Sequence, residues 1–146
     1  MKNISIRIPL AIALSLMCVL FDSVYVGCRG AADSDAVLRQ EFKIRYGQEV
    51  TVKGEGLKVK FVSVPDDSRC PENVTCVWEG DAKIMTSVRR ASAEESQIEL
   101  HTNGKFARSG RYQQYVITLV SLDPYPKTDA NKKQSDYVAT LQITKE

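Results

Sequence analysis

Cys70 and Cys76 stand among Asp66, Asp67, Arg69, Glu72, Glu79 and Asp81, the densest collection of reactive side chains in the chain. Three chemistries use such residues: thiol–disulfide exchange, metal binding and carboxylate catalysis. Thioredoxin-type exchange prefers two residues between its cysteines, and a structural zinc site needs four Cys, His or carboxylate ligands. Here five residues intervene and no second cysteine pair exists. A structural disulfide is the expectation, closing a short ring worth on the order of 2 kcal/mol in chain-entropy terms, so that it shapes a loop more than it staples the fold. The carboxylates lack the spacing of a calcium loop. Asp66 and Asp67 are therefore expected to cap a turn, with Arg69 paired to one of them.

His101 is the single histidine, so a serine or cysteine nucleophile would depend on this one base. Its place beside Leu100 and Thr102, before Asn103-Gly104, reads as an ordinary surface position at a strand end. A three-histidine metal centre is unavailable within one chain, and neither a GxSxG elbow nor a phosphate loop occurs. The reading is a non-enzymatic protein, with no catalytic residue, metal or cofactor assigned. Among the aromatics, Trp78 is expected to pack beneath the disulfide, and Tyr115 and Tyr137 to join the core. Tyr112 and Tyr125 fall at loop edges, better placed for recognition. Partner contacts are expected at Arg69, Tyr125 and Lys127, on loops 66–80 and 123–136, with 103–111 as a third. Tyr and Arg combine apolar area with directional bonds and often dominate interfaces.

The elements that must position these residues begin after a leader. Lys2 and Arg7 precede an apolar run from Ile8 to Phe21, about 14 residues against the roughly 20 a membrane span needs. A cleaved signal peptide over residues 1–27 is the expectation, and export implies an oxidising compartment. The leader ends in Val24-Tyr25-Val26-Gly27-Cys28, similar to the lipobox of bacterial lipoproteins. Of four cysteines, Cys18 leaves with the leader and Cys70 can pair with Cys76. Lipidation of Cys28 removes the odd thiol and tethers the protein to a membrane without a spanning helix.

From Cys28 onward 119 residues remain, with 18 basic and 17 acidic side chains. That is one domain with a real core, and no basic block marks it for nucleic acid. Residues 28–39 are small, polar and aperiodic, as expected of a flexible tether. From residue 40 the period is two: Phe42, Ile44 and Tyr46; Val50 and Val52; Leu57, Val59 and Phe61; Ala82, Ile84, Thr86 and Val88; Ile98, Leu100 and Thr102; Tyr137, Ala139, Leu141 and Ile143. Val62 and Val64 shift face, as at a bulge. Residues 115–122 are apolar on both faces and read as a central strand. Seven or eight strands without an amphipathic helix predict an all-β domain over residues 40–146, a single antiparallel β-sandwich of immunoglobulin-like type, with a closed barrel as the alternative.

The segment Asp67-Ser68-Arg69-Cys70-Pro71, followed by Val74, Cys76-Val77-Trp78 and Gly80, resembles one in small exported bacterial lipoproteins of unassigned role. A Gly-Gln-Glu strand before it and the Leu-Val-Ser-Leu-Asp-Pro-Tyr-Pro segment after it fit the same likeness, which spans about residues 40–146. It implies fold class and an envelope location, and carries no activity. Two functions follow as expectations: a membrane-tethered or secreted binding or structural module acting on an extracellular or periplasmic protein, or an inhibitor of extracellular proteases. The second rests on analogy with immunoglobulin-like cysteine-protease inhibitors, whose Asn-Pro-Thr-Thr-Gly loop is absent here.

Overall fold

A computed structural model describes residues 35–128 and 131–146. The expected signal peptide, Cys28 and most of the tether lie outside the described residues. The described residues form one compact unit, built from eight strands: β1 Glu41–Arg45, β2 Glu49–Val52, β3 Leu57–Asp67, β4 Ala82–Arg90, β5 Ser96–His101, β6 Ser109–Tyr112, β7 Tyr115–Asp123 and β8 Val138–Lys145. They make two four-stranded sheets, ordered β1-β8-β7-β6 and β2-β3-β4-β5, in which neighbouring strands run antiparallel.

Alternation explains the layers. Leu57, Val59 and Phe61 on β3, Ile84 and Val88 on β4, Tyr115, Ile117 and Leu119 on β7, and Ala139, Leu141 and Ile143 on β8 are all buried in one core, while Lys58, Lys60, Met85, Val116, Thr118 and Gln142 alternate with them at exposed or half-buried positions. Within each sheet, neighbours in sequence are neighbours in space, and β1 closes beside β8. This is the serial order of a meander. β7 has a neighbour on either side but is covered on one face only; Val116 and Val120 on its other face are half-buried.

Between strands the chain changes sheet twice, from β1 to β2 and from β5 to β6, and the segment before β1 already spans both sheets. Ala36 is buried and bridges Val52 in parallel, and Arg39 N–H then bonds Ile143 O at 2.8 Å in the other sheet. The segment read as tether up to residue 39 is therefore packed from Ala36 onward. On the opposite side His101 N–H bonds Ala107 O at 3.0 Å, and Leu119 N–H bonds Arg108 O at 2.8 Å. The short strand β6 that follows lies where the sequence reading placed a loop. Gly110 explains its lack of pattern: a Cβ there would stand 2.1 Å from Ile98 Cγ2, so an inward position is filled by backbone.

β3 carries the expected bulge, with register shifts between Phe61 and Ser63 and between Ser63 and Asp66. Its freed backbone is satisfied from a distance. Gln134, on a short 3-10 turn Gln134–Asp136, accepts from Val64 N–H at 2.9 Å and donates to Val64 O at 2.8 Å. A side-chain amide thus replaces a missing strand neighbour.

Candidate functional site

The long connections gather at one end of the sheets, where Asp67 pairs with Ala82 and Asp123 with Val138. Arg69 binds them together. Its Nε and Nη2 donate to the two oxygens of Asp67 at 2.8 Å each, Nη1 donates to Leu122 O at 2.6 Å, and Nη2 also reaches Pro124 O at 3.0 Å. The guanidinium lies 5.2 Å from the Tyr125 ring centroid. Lys132 Nζ and Tyr137 Oη complete the ring around Asp67 at 3.2 and 3.0 Å. Burial alone would raise the Asp67 carboxyl. The hydrogen bonds and charge of Arg69, with the bonds from Tyr137 and Lys132, outweigh it and bring the group to about 2. Burial and then Asp67 push Tyr137 up to about 12.

The pairing of Arg69 with an aspartate is as expected, but Asp66 and Asp67 belong to β3, not to a turn. Arg69 itself is only 7% exposed, and four of its five N–H directions are spent inside the protein. Arg69, expected as a partner contact, is turned inward: its guanidinium holds two loops, and only its edge reaches a surface hollow lined also by Glu79, Asn103 and Tyr125. Lys127 is exposed and pairs with Glu72 at 2.9 Å. The hydrogen bond and charge of Glu72 raise the Lys127 ammonium. Tyr125 is 47% exposed. Tyr112, read as a loop-edge residue, is a buried β6 residue whose hydroxyl donates to Glu94 O at 3.1 Å.

Cys70 and Cys76 are bonded to each other. The ring they close is held on both flanks. Cys70 N–H bonds Glu79 O at 2.9 Å, Ser68 N–H bonds Asp81 O at 2.7 Å, and Asn103 Nδ2 donates to Gly80 O at 2.8 Å. Across to the second loop, Glu72 N–H bonds Pro126 O at 3.0 Å, and the Asn73 amide pairs with Thr128 through Nδ2–Oγ1 at 2.5 Å and Thr128 N–H to Oδ1 at 3.3 Å. Gly80 makes the close crossing feasible. Its φ is +71, and a Cβ there would lie 2.0 Å from Ser68 O.

On this braced loop the apolar residues point outward. Val77 is fully exposed and Trp78 is 68% exposed. Trp78 does not pack beneath the disulfide as the sequence reading had it, because the core beneath is already filled from the strands and the next residues, Glu79 and Gly80, are pinned by backbone bonds. Sequence reasoning missed Val77 as a surface candidate and assigned Trp78 to the interior over a binding face. The available signal was the flanking pattern, Cys76 and Gly80, which fixes both ends of a short exposed arch.

His101, half-buried at the end of β5, lies between two carboxylates: Nδ1 to Asp81 Oδ2 at 2.5 Å and Nε2 to Glu99 Oε1 at 3.1 Å, with the ring 5.1 Å from that of Phe106. Asp81 Oδ1 accepts from the Thr102 and Asn103 amides at 3.1 and 2.9 Å and from the Thr102 hydroxyl at 3.1 Å. Burial would raise Asp81, but the bonds from His101, Asn103 and Thr102 hold it below the usual carboxylate range. Neither ring nitrogen faces a hydroxyl or thiol, so the cluster has the form of a loop brace. Among the described residues no group of three or more His, Cys, Asp or Glu is placed to hold a metal. No family model, no curated protein and no solved structure matches the chain.

Proposed function

We propose that this protein is a non-enzymatic binding domain, exported and held at the cell envelope by a lipid on Cys28, which recognises a protein partner through the loop carrying Val77 and Trp78, with Tyr125 and Lys127 beside it. The observation that carries the reading is the exposed Val77-Trp78 pair on a loop held by a disulfide and by backbone bonds on both flanks. Leaving a tryptophan in water forgoes on the order of 2 kcal/mol of burial, and Trp is the residue type most enriched among interface anchors. A loop fixed in advance also loses little freedom on binding. The disulfide is consistent with an oxidising exported compartment, and so supports the location.

As to fold type, the serial strand order favours a flattened up-and-down sandwich over the immunoglobulin-like type. The protease-inhibitor alternative draws no support from the loop. A cleft-filling loop must stay extended on both sides of its anchor, whereas Gly80, two residues after Trp78, is buried against Ser68.

The test is recovery of partners from native envelope by the wild-type protein and by Trp78→Ala and Val77→Ser variants, with thermal unfolding measured in parallel. The reading expects both variants to unfold with the wild type while losing the partner. Unchanged recovery by folded variants would place recognition elsewhere.

A further inference from the structure

We infer that the Trp78 loop stands at the pole of the domain opposite the one where the chain enters at Ala36, and that it meets a protein through an apolar pocket with a basic rim; this rests on the binding reading above. Strand register fixes the two poles. At one, Leu57 pairs with Arg90 and Tyr115 with Lys145. Ala36 enters there, bridged to Val52, which pairs with Leu57. The chain also ends there, with Glu146 N–H bonded to Gln114 O at 2.9 Å. At the other pole Asp67 pairs with Ala82, and the disulfide loop extends beyond them.

Lengths turn this polarity into a constraint. β3 is 11 residues long, so its ends are about 33 Å apart at about 3.3 Å per residue. The stretch from Cys28 to Ala36 reaches at most about 28 Å when fully extended. A chain anchored at Cys28 therefore has too short a leash to turn the domain over and press the tip head-on into its own bilayer. Charge points the same way. Glu79, next to Trp78, is exposed and has no side-chain partner among the described residues, while Glu72 is neutralised by Lys127 at 2.9 Å, so Glu79 is the uncompensated charge beside Trp78. An anionic lipid surface repels such a tip, whereas a partner pocket rimmed by Arg or Lys attracts it.

Trp78 is the only tryptophan in the chain, so its fluorescence reports this tip alone. The chain from Cys28 onward is held on phosphatidylcholine–phosphatidylglycerol vesicles through that cysteine, by its own acyl groups or by a maleimide headgroup. Emission wavelength and acrylamide quenching should match those of the same protein free in buffer, and brominated acyl chains should quench nothing. A blue shift with quenching by brominated lipid would overturn the inference, with the bilayer then the ligand of the tip. The partner's chemistry is read by placing a photo-crosslinking residue at position 77 in the native envelope. A protein adduct that disappears on Glu79→Lys, with thermal unfolding unchanged, supports the basic rim. An adduct indifferent to Glu79→Lys, or lipid adducts alone, contradicts it, and no adduct of any kind would count against the binding reading itself.

Discussion

Removing the Arg69 guanidinium should unpick the loop end of the sandwich, and the size of the effect can be worked from its contacts. Arg69→Ala strips two bonds from a carboxylate that is 8% exposed and leaves the carbonyls of Leu122 and Pro124 without their donor. Breaking a buried pair by deleting one partner costs about 3 to 5 kcal/mol. Part of that cost depends on pH. Asp67 falls from its ordinary 3.8 to about 2 in the folded protein, which is worth about 2 kcal/mol at about 1.4 kcal/mol per pH unit. Because the folded value is depressed, this stabilisation is fully present above pH 3.8 and is lost as pH falls through about 2. Urea unfolding of wild type, Arg69→Ala and Asp67→Asn should be followed from pH 7 to pH 2. The wild type should lose stability across the acid window, Asp67→Asn should lack that component, and the gap between wild type and Arg69→Ala should narrow as the carboxylate protonates. A cost below about 1 kcal/mol at pH 7, with an unchanged acid profile in Asp67→Asn, would refute the claim that this pair holds the loops.

Three further outcomes follow from the same end of the molecule. Gly80→Ala places a methyl 2.0 Å from Ser68 O at a φ of +71, and calorimetry should show a loss of about 2 to 4 kcal/mol. Gln134→Leu leaves the Val64 amide and carbonyl unpaired; a loss of about 1 to 3 kcal/mol is expected, with hydrogen exchange rising first at Val64. Replacing Cys70 and Cys76 together by Ser should cost about 1 to 3 kcal/mol while the β-sheet circular dichroism persists, since the ring spans a sequence separation of only 6.

What the sequence disclosed depended on whether a residue's role was local. Two-residue periodicity located β1 to β5 and β8, because one-sided burial writes alternation directly into residues such as Leu57, Val59 and Phe61, and a continuous apolar run located β7. It failed for β6, where Gly110 occupies an inward position and leaves no apolar mark. The pairing of Cys70 with Cys76, and of Arg69 with an aspartate, was legible because the partners are close in sequence. The burial of Arg69 was not, since it is imposed by Leu122 and Pro124, more than fifty residues away in the chain. The same holds for the Gln134 bond that fills the β3 bulge. Trp78 was misread by a composition rule: large aromatics usually pack inward, and only the pinned backbone at Glu79 and Gly80 turns this one out.

Intrinsic fluorescence of the free, oxidised protein tests the central claim most directly, because the chain's single tryptophan is the residue on which that claim rests. With Trp78 68% exposed, the account predicts red-shifted emission typical of indole in water and efficient quenching by acrylamide, both unchanged in the Arg69→Lys variant, provided that variant is folded. Blue-shifted emission shielded from acrylamide would mean that the indole is buried beneath the disulfide, and would remove the basis for recognition through this loop.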